Sequence, residues 1–205
     1  MNGWRGMAAF AVLLAIAGLV LAGTWRLTRQ DIAANDARRV REQIATVLPA
    51  AGWDNEPERD VAWLDTGSGE RLPVYRARRG GRPVAAALTV VAPGGYGGPL
   101  RLLVGVGVDG RVTGVRVLAH AETPGIGGDV AADDSRLLRN FDDRSDRDPP
   151  RDRWALQADG GDFDAVAGAT VSSRALVAGV AGAVRYVADH EAEVFGRAAG
   201  PEPTP

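Results

Sequence analysis

The N-terminal part of the chain changes from an unbroken apolar run to a polar helix. Residues 7–23, MAAFAVLLAIAGLVLAG, contain no charged or strongly polar side chain, and Trp4 and Trp25 flank them. A run of this length between two tryptophans is typical of a transmembrane helix with interfacial anchors. A cleaved signal peptide is the alternative, because the run is N-terminal and ends in small residues. Since the run exceeds an ordinary signal-peptide core, we expect one N-terminal transmembrane helix, with the anchor over residues 1–27.

A helical stalk is predicted to follow the anchor over residues 28–49. Ile32, Val40 and Ile44 form a thin apolar stripe among charged positions, and Pro49 is expected to stop the helix. After it we expect a folded domain over 50–195 and a disordered tail over 196–205.

Short β-rich runs separated by glycine-rich breaks occupy roughly residues 72–119. Asp109-Gly110 lies between two valine-rich runs, which is a strong hairpin signal. A further short strand is predicted around Val61–Leu64. The spacing therefore predicts an antiparallel sheet.

Helical spacing dominates the C-terminal half. We predict a short helix over 129–141, a short strand over Trp154–Leu156 and a final helix over 172–192. The predicted buried positions of the two helices are Leu137, Leu138 and Phe141, and then Leu176, Val180, Val184 and Val187. The fold class is therefore α+β, an antiparallel sheet with packed helices, preceded by the transmembrane helix.

Composition excludes several kinds of chemistry. The formal net charge is -2 and no basic stripe with interleaved aromatics occurs, so no nucleic-acid partner is expected. Cysteine is absent and histidine occurs twice, so disulfides, thiolate nucleophiles and a histidine-rich metal cluster are not expected. We predict no metal site and no catalytic residue, and any chemistry must come from a non-metal cofactor or from carboxylates and hydroxyls.

One glycine-rich segment, HAETPGIGG at residues 120–128, ends the predicted sheet. Pro124-Gly125 favours a type II turn, and the proline holds Thr123 extended. Glu122 and Thr123 would then project at a fixed angle from the end of the sheet. A tight turn with incidental polar residues is the alternative.

A second segment, DAVAGATVSS at residues 164–173, precedes the final helix. Gly168 and Ala169 leave space beside Thr170, and Ser172 or Ser173 is predicted to cap the helix. A phosphate placed there would meet the positive end of the helix dipole, aided by Arg174. Capping alone is the alternative interpretation.

Together the two segments resemble the FMN-binding domain shared by the G subunit of the Rnf electron-transport complex and the C subunit of the sodium-pumping NADH:quinone reductase. The flavinylation pattern of that family is Asp, two residues, Ser or Thr, then Gly-Ala-Thr, and it corresponds here to residues 164–170. The family's His-x-Glu-Thr-Pro-Gly-(Leu/Ile)-Gly stretch corresponds to residues 120–127. Ala167 departs from the pattern, since Ser or Thr is usual there, and this puts one hydrogen bond in doubt. The resemblance covers nearly the whole chain.

The resemblance implies a covalent flavin. Thr170 would carry FMN through a phosphoester, formed from FAD by a separate flavin transferase. The other cofactor-binding residues implied are Glu122, Thr123, Pro124, Gly125, Gly127, Gly168, Ala169, Ser172 and Ser173. The role of His120 is left open.

The same resemblance implies a function and a location. It indicates a subunit that relays electrons between ferredoxin or NADH and other membrane subunits of an Rnf-type complex. A subunit like that of the sodium pump, a membrane-tethered FMN-binding redox regulator and a flavin-free assembly module are the alternatives. The domain is expected on the periplasmic face of the bacterial inner membrane, although Arg26 and Arg29 follow the apolar run and only Arg5 precedes it.

Overall fold

A long helix, a five-stranded sheet and shorter helices follow one another along the part of the chain that the structure describes. The structure is a computed structural model that describes residues 3–49, 52–65, 71–125, 127–132 and 135–196. The elements in chain order are helix α1 (Gly3–Val47), strands β1 (Val61–Asp65), β2 (Arg71–Arg79), β3 (Arg82–Ala92), β4 (Leu100–Gly107) and β5 (Val112–Ala119), and helices α2 (Arg136–Arg139), α3 (Thr170–Asp189) and α4 (Glu191–Phe195). Short 3-10 turns lie at Gly128–Ala131, Arg151–Arg153 and Gln157–Asp159.

The chain divides into two compact units, residues 1–40 and 41–205. The first unit is the N-terminal part of α1. Its described large apolar side chains are exposed, namely Trp4, Met7, Phe10, Leu13, Leu14, Ile16, Leu19, Val20, Leu21 and Trp25. Counting described residues only, none of the helices has the length and apolar character needed to cross a membrane.

The second unit is built on an antiparallel meander. Its strands lie in the order β1-β2-β3-β4-β5, so every strand pairs with its neighbour in sequence. The predicted hairpin is confirmed, because Asp109-Gly110 joins β4 to β5 and Gly110 has a φ of 77°. The predicted strand near Val61–Leu64 is β1, and the antiparallel sheet is confirmed.

One face of the sheet packs against α3, which lies across β3 and β4. Leu176, Val180, Val184 and Val187 point into this core, as their helical spacing predicts. They meet apolar side chains of the central strands, including Leu88, Leu102 and Val104. The helix is thereby fixed by its buried face, which orients its first turn at one edge of the sheet.

The last turn of α1 packs against the opposite face. A Cβ added to Gly105 would lie 2.0 Å from the Val47 carbonyl oxygen, and one added to Gly114 would lie 3.0 Å from the Val47 Cα. The two glycines pair across β4 and β5, and because they have no side chains the helix backbone can lie close to the sheet. The Thr113 hydroxyl donates to the Val47 carbonyl at 2.5 Å, and α1 ends before Pro49 as predicted.

The predicted helix over 129–141 is wrong in extent. The segment forms the Gly128–Ala131 turn and the one-turn helix α2, and Ala132 between them is extended. Leu137, Leu138 and Phe141 are nevertheless buried as predicted. Burial of these three side chains does not require a continuous helix.

The predicted strand over Trp154–Leu156 is also wrong. Within the described residues, Leu156 makes an isolated bridge with Phe163 and no ladder. The segment is ordered by its side chains, since the Trp154 ring lies 5.0 Å from that of Phe163 and its indole N–H donates to the Pro149 carbonyl at 3.1 Å. An aromatic cluster therefore replaces strand pairing here.

The final helix starts earlier and stops sooner than the predicted 172–192. It begins at Thr170 and ends at Asp189, and His190 (φ −128°, ψ 33°) separates it from α4. The predicted tail over 196–205 lies outside the described residues except for Gly196.

A buried arginine holds α4 onto the sheet. Arg76 of β2 is 4% exposed, and its guanidinium donates to the carbonyls of Val194 and Glu193, each at 2.6 Å. Its pKa is lowered by burial and raised in part by Asp60, whose carboxylate lies 3.8 Å away. The side chain therefore links β2, Asp60 and the end of α4.

Replacing Arg76 by methionine should destabilise the chain by about 1–3 kcal/mol for each of the two carbonyls, of Val194 and Glu193, that lose their donor. Chemical denaturation of the full chain measures the change. Arg59→Ala is the control, because Arg59 is exposed and its ion pair with Glu56 is of the kind that contributes little. Equal unfolding midpoints for the two variants would contradict this role of Arg76.

Candidate cofactor-binding site

The two glycine-rich segments meet at one cleft of about 520 Å³. It lies where the sheet ends and α3 begins, and a third loop, Pro93–Pro99, closes one side. Its lining residues are Tyr96, Glu122, Thr123, Gly127, Gly168, Ala169, Thr170, Val171 and Ser172. The volume is within the range of small-molecule sites.

The 120–128 segment forms a closed turn that serves as one wall. Gly125 has a φ of 76°, the left-handed value that a type II turn requires after Pro124. The Gly128 N–H donates to the Thr123 carbonyl at 3.0 Å, and the Glu122 N–H donates to Nδ1 of His120 at 3.2 Å. His120 therefore has a structural contact in this turn.

Glu122 is the buried carboxylate of the site, with 6% of the side chain exposed. Its Oε1 accepts a hydrogen bond from the Gly97 N–H at 3.1 Å. Its Oε2 is buried and has no partner among the described residues. A Cβ at Gly127 would lie 2.4 Å from Oε2, so a side chain there would displace the carboxylate. One oxygen of Glu122 thus fixes a loop, and the other is a buried acceptor beside Gly127.

The N-terminus of α3 forms the opposite wall. The helix begins at Thr170, and its N-cap residue, Ala169, provides no side-chain cap. Gly168 has a φ of 77°, which turns the chain into the helix. Thr170 is exposed, and no hydrogen bond engages its hydroxyl within the described residues. The first-turn N–H groups and this hydroxyl are therefore available to a ligand.

The predicted capping role of Ser172 and Ser173 is wrong. Because α3 starts at Thr170, both serines lie inside the helix, and both are buried. The Ser172 hydroxyl accepts from the Tyr96 N–H at 3.3 Å, and the Ser173 hydroxyl accepts from the Val166 N–H at 3.1 Å. The two hydroxyls instead fasten the neighbouring loops to the helix.

Arg174 does not face the cleft as a free cation. Its guanidinium makes two hydrogen bonds to the Asp159 carboxylate, at 2.7 and 2.9 Å. These bonds lower the pKa of Asp159 and raise that of Arg174. The expectation that Arg174 would aid a phosphate is therefore not supported by its geometry.

Three of the residues suggested by sequence stand behind the lining. Pro124, Gly125 and Ser173 shape the walls without lining the cleft, whereas the other seven line it. Sequence reasoning missed Tyr96. Its signal in the sequence is the stretch PGGYGGP, which places one aromatic residue among four glycines between two predicted strands.

A larger cleft of about 890 Å³ is lined in part by residues 164–167. It is lined mainly by residues around α2, including Ser135, Arg136 and Arg139. It contains neither Thr170 nor any residue of the 120–128 segment, so we do not assign the flavin to it.

Comparison with known proteins identifies the domain that contains this cleft. Residues 95–185 match the family model of the FMN-binding domain, a range that includes both glycine-rich segments and Tyr96. Curated relatives, each named as the G subunit of an ion-translocating oxidoreductase complex, align over most of the chain. The protein from Shewanella oneidensis is 34% identical over 90% of this chain and 91% of its own length. The one from Pseudomonas aeruginosa is 40% identical over 89% of each.

The chain belongs to the family of G subunits of ion-translocating oxidoreductase complexes. A further member, from Shewanella amazonensis, is 42% identical over 65% of this chain and 62% of its own length. The resemblance inferred from the two segments is thereby confirmed. The matched domain is an FMN-binding domain, which makes FMN the cofactor class.

Proposed function

We propose that the chain is the FMN-carrying subunit of an Rnf-type ion-translocating oxidoreductase complex, in which it relays electrons. One observation carries the proposal: the two segments of the flavin pattern, far apart in sequence, line one cleft at an uncapped helix N-terminus with an exposed threonine. The family match to an FMN-binding domain supports the cofactor, and the names of the relatives support the complex.

The residues of the cleft suit FMN in three respects. Uncapped N–H groups in the first turn of α3 are donors suited to a phosphate. The small residues Gly168 and Ala169 allow a ligand chain to lie against the backbone. The unpartnered Oε2 of Glu122 is an acceptor for an N–H or O–H group of the ligand, where burial without a partner is otherwise unfavourable.

Covalent attachment is assigned to the Thr170 hydroxyl. No base contacts this hydroxyl within the described residues, so an external catalyst is needed to activate it. A flavin transferase that uses FAD would meet this need. The threonine O–H bond breaks and its proton passes to a base of the transferase, while the threonine oxygen forms the new bond to the FMN phosphorus. The bond from that phosphorus to the bridging oxygen breaks, and AMP leaves. The remaining single negative charge then lies beside the positive end of α3.

FMN, when bound, supplies one-electron and two-electron redox chemistry. Thr170 would hold its phosphate, and Thr123 and Tyr96, which line the cleft, would border its ring. Covalent attachment removes dissociation as a route of cofactor loss. We therefore expect no substrate pocket and no independent enzymatic activity.

The apolar part of α1 is proposed as the membrane anchor. Trp4 and Trp25 are 21 residues apart, which is about 32 Å along a helix and close to the ~30 Å hydrocarbon core. The exposed apolar side chains between them support this role. The flavin domain is then proposed to lie on the periplasmic face of the inner membrane, in contact with other subunits of the complex.

Mass spectrometry of the chain purified from native membranes tests the assignment. We expect an FMN phosphoester on the peptide that contains Thr170, and no flavin on any other peptide. Unmodified Thr170 in a chain with a working flavin transferase would overturn the covalent assignment. FMN bound without a covalent bond would retain the cofactor and reject the linkage.

Thr123→Val should keep the covalent flavin and shift its midpoint potential. The side chain lines the cleft, whereas the turn depends on its backbone carbonyl, so valine removes the hydroxyl without disturbing the turn. Losing one hydrogen bond of about 1 kcal/mol from one redox state corresponds to roughly 20 mV for a two-electron couple. Thr46→Val is the control, since that hydroxyl bonds within α1. Identical potentials for the two variants would favour the plain-turn interpretation.

A further inference from the structure

The loop Pro93–Pro99 holds an exposed aromatic residue at the cleft by its backbone alone. Tyr96 is 80% exposed, although it lines the cleft, and its phenol makes no hydrogen bond within the described residues. An exposed aromatic ring that lines a cleft offers a planar surface to a ligand. Val171, 45% exposed, lies in the same lining.

Two consecutive N–H groups tie this loop to the two walls of the cleft. The Tyr96 N–H donates to the Ser172 hydroxyl at 3.3 Å, and the Gly97 N–H donates to Oε1 of Glu122 at 3.1 Å. One acceptor comes from α3, and the other comes from the turn at 120–128. Both acceptors are buried side chains, so the position of the Tyr96 backbone is fixed relative to both segments of the flavin pattern.

The glycines on either side of Tyr96 are required by the same arrangement. A Cβ at Gly95 would lie 2.4 Å from the Gly98 carbonyl oxygen and 2.8 Å from Oε1 of Glu122. A Cβ at Gly97 would lie 2.1 Å from the Ala121 carbonyl oxygen. Side chains at these positions would push the loop away from the walls. The sequence PGGYGGP therefore brings a backbone close to Glu122 and presents a single side chain, that of Tyr96.

We infer that Tyr96 is the contact residue for one face of the flavin ring, and that Glu122 and Ser172 are positioning residues that act through the loop backbone. This inference rests on the proposed function, and it assigns Glu122 a role different from direct hydrogen bonding alone. A planar aromatic ring is the ligand group that an exposed tyrosine best accommodates, by offset stacking. The exposure of Tyr96 is then explained, because the ring of the ligand covers it.

The fluorescence of the attached flavin tests the contact. A tyrosine in contact with a flavin quenches its fluorescence and shields one ring face from solutes such as iodide. Tyr96→Leu in the full chain should therefore give brighter flavin fluorescence and stronger quenching by iodide, with the same amount of denaturation-stable flavin. Tyr96→Trp should restore the quenching. In a Thr170→Ala background, Tyr96→Leu should weaken binding of free FMN by about two- to tenfold.

Tyr186→Leu is the matched control. Tyr186 lies on α3, stacked on His190, and is 16 residues from Thr170, which is about 24 Å along the helix. It should leave flavin brightness and iodide quenching unchanged. If Tyr96→Leu gives the same values as Tyr186→Leu, the contact at Tyr96 is refuted.

Variants of the two acceptors test the positioning role. Glu122→Ala and Ser172→Ala should each reproduce part of the Tyr96→Leu fluorescence, because each removes the side-chain acceptor of one loop N–H. Ser172→Ala removes a single oxygen from a helix interior, so it provides the result if Glu122→Ala does not fold. Unmodified fluorescence in Ser172→Ala and in any folded Glu122→Ala would overturn the positioning role. Absence of both covalent and non-covalent flavin from the unmodified chain would instead reject the proposed function, a separate outcome seen in the absorbance of the native chain.

Discussion

Thr170→Ala should yield a folded chain with no flavin that survives denaturation. The threonine hydroxyl makes no hydrogen bond within the described residues and its side chain is exposed, so its removal costs the fold nothing that the structure identifies. Flavin fluorescence on a denaturing gel measures attachment, and circular dichroism of the same sample measures folding.

Neighbouring hydroxyls should not replace Thr170. Ser172 and Ser173 are fully buried, and each accepts a hydrogen bond from a loop N–H, so neither is open to a transferase. We therefore expect the loss to be complete. Ala167→Ser is the matched control, because it restores the usual residue of the family pattern at an exposed position in the 164–170 segment. It should carry at least as much flavin as the unmodified chain. A fluorescent band that persists in Thr170→Ala would show that the attachment site lies elsewhere.

The parts of the fold that sequence predicts well are those specified by local signals. Asp109-Gly110 sets a hairpin through the backbone preferences of two adjacent residues. The spacing of Leu176, Val180 and Val184 sets the buried face of α3 in a similar way. The strand predicted around Trp154 was wrong because the conformation there depends on Phe141, Phe163 and the Pro149 carbonyl. None of these groups is adjacent to Trp154 in sequence. A β-rich local composition does not reveal such partners.

The candidate site follows the same division. Thr170 and the 120–128 turn were found because each belongs to a contiguous pattern, and the structure brings the two to one cleft. The capping prediction for Ser172 and Ser173 failed because a shift of two residues in the start of a helix converts a cap into a buried position. Tyr96 was missed because its importance depends on Glu122, 25 residues away in sequence. Only the folded chain shows that the Glu122 carboxylate connects the 120–128 turn to the Pro93–Pro99 loop.

The proposed topology requires that the apolar part of α1 anchors the chain in the membrane. Deleting residues 1–27 should move the chain from the membrane fraction to the soluble fraction. The deletion removes the described exposed apolar side chains from Trp4 to Trp25 and leaves the domain that begins at Arg41. Covalent flavin on the truncated chain serves as the control for folding. This control applies where the truncated chain is in the same compartment as the flavin transferase. A deleted chain that remains in the membrane fraction would show that other parts of the protein, or its partners, are sufficient to hold it there.

The proposed topology also requires that the flavin domain lies on the periplasmic side of the membrane. The charges that flank the apolar run indicate the side only weakly. Two arginines, Arg26 and Arg29, follow the apolar run and one, Arg5, precedes it, so the positive-inside bias toward a cytoplasmic domain amounts to a single charge. The domain has no cysteine, which makes it compatible with an oxidising compartment. We expect an alkaline phosphatase fused after Pro205 to be active and a green fluorescent protein fused there to be dark, because the first folds only outside the cytoplasm and the second fluoresces only inside. Arg26→Gln with Arg29→Gln should strengthen this pattern by removing the opposing charges. An inactive phosphatase together with a bright fluorescent fusion would place the flavin on the cytoplasmic face, where electrons would have to reach it without crossing the membrane.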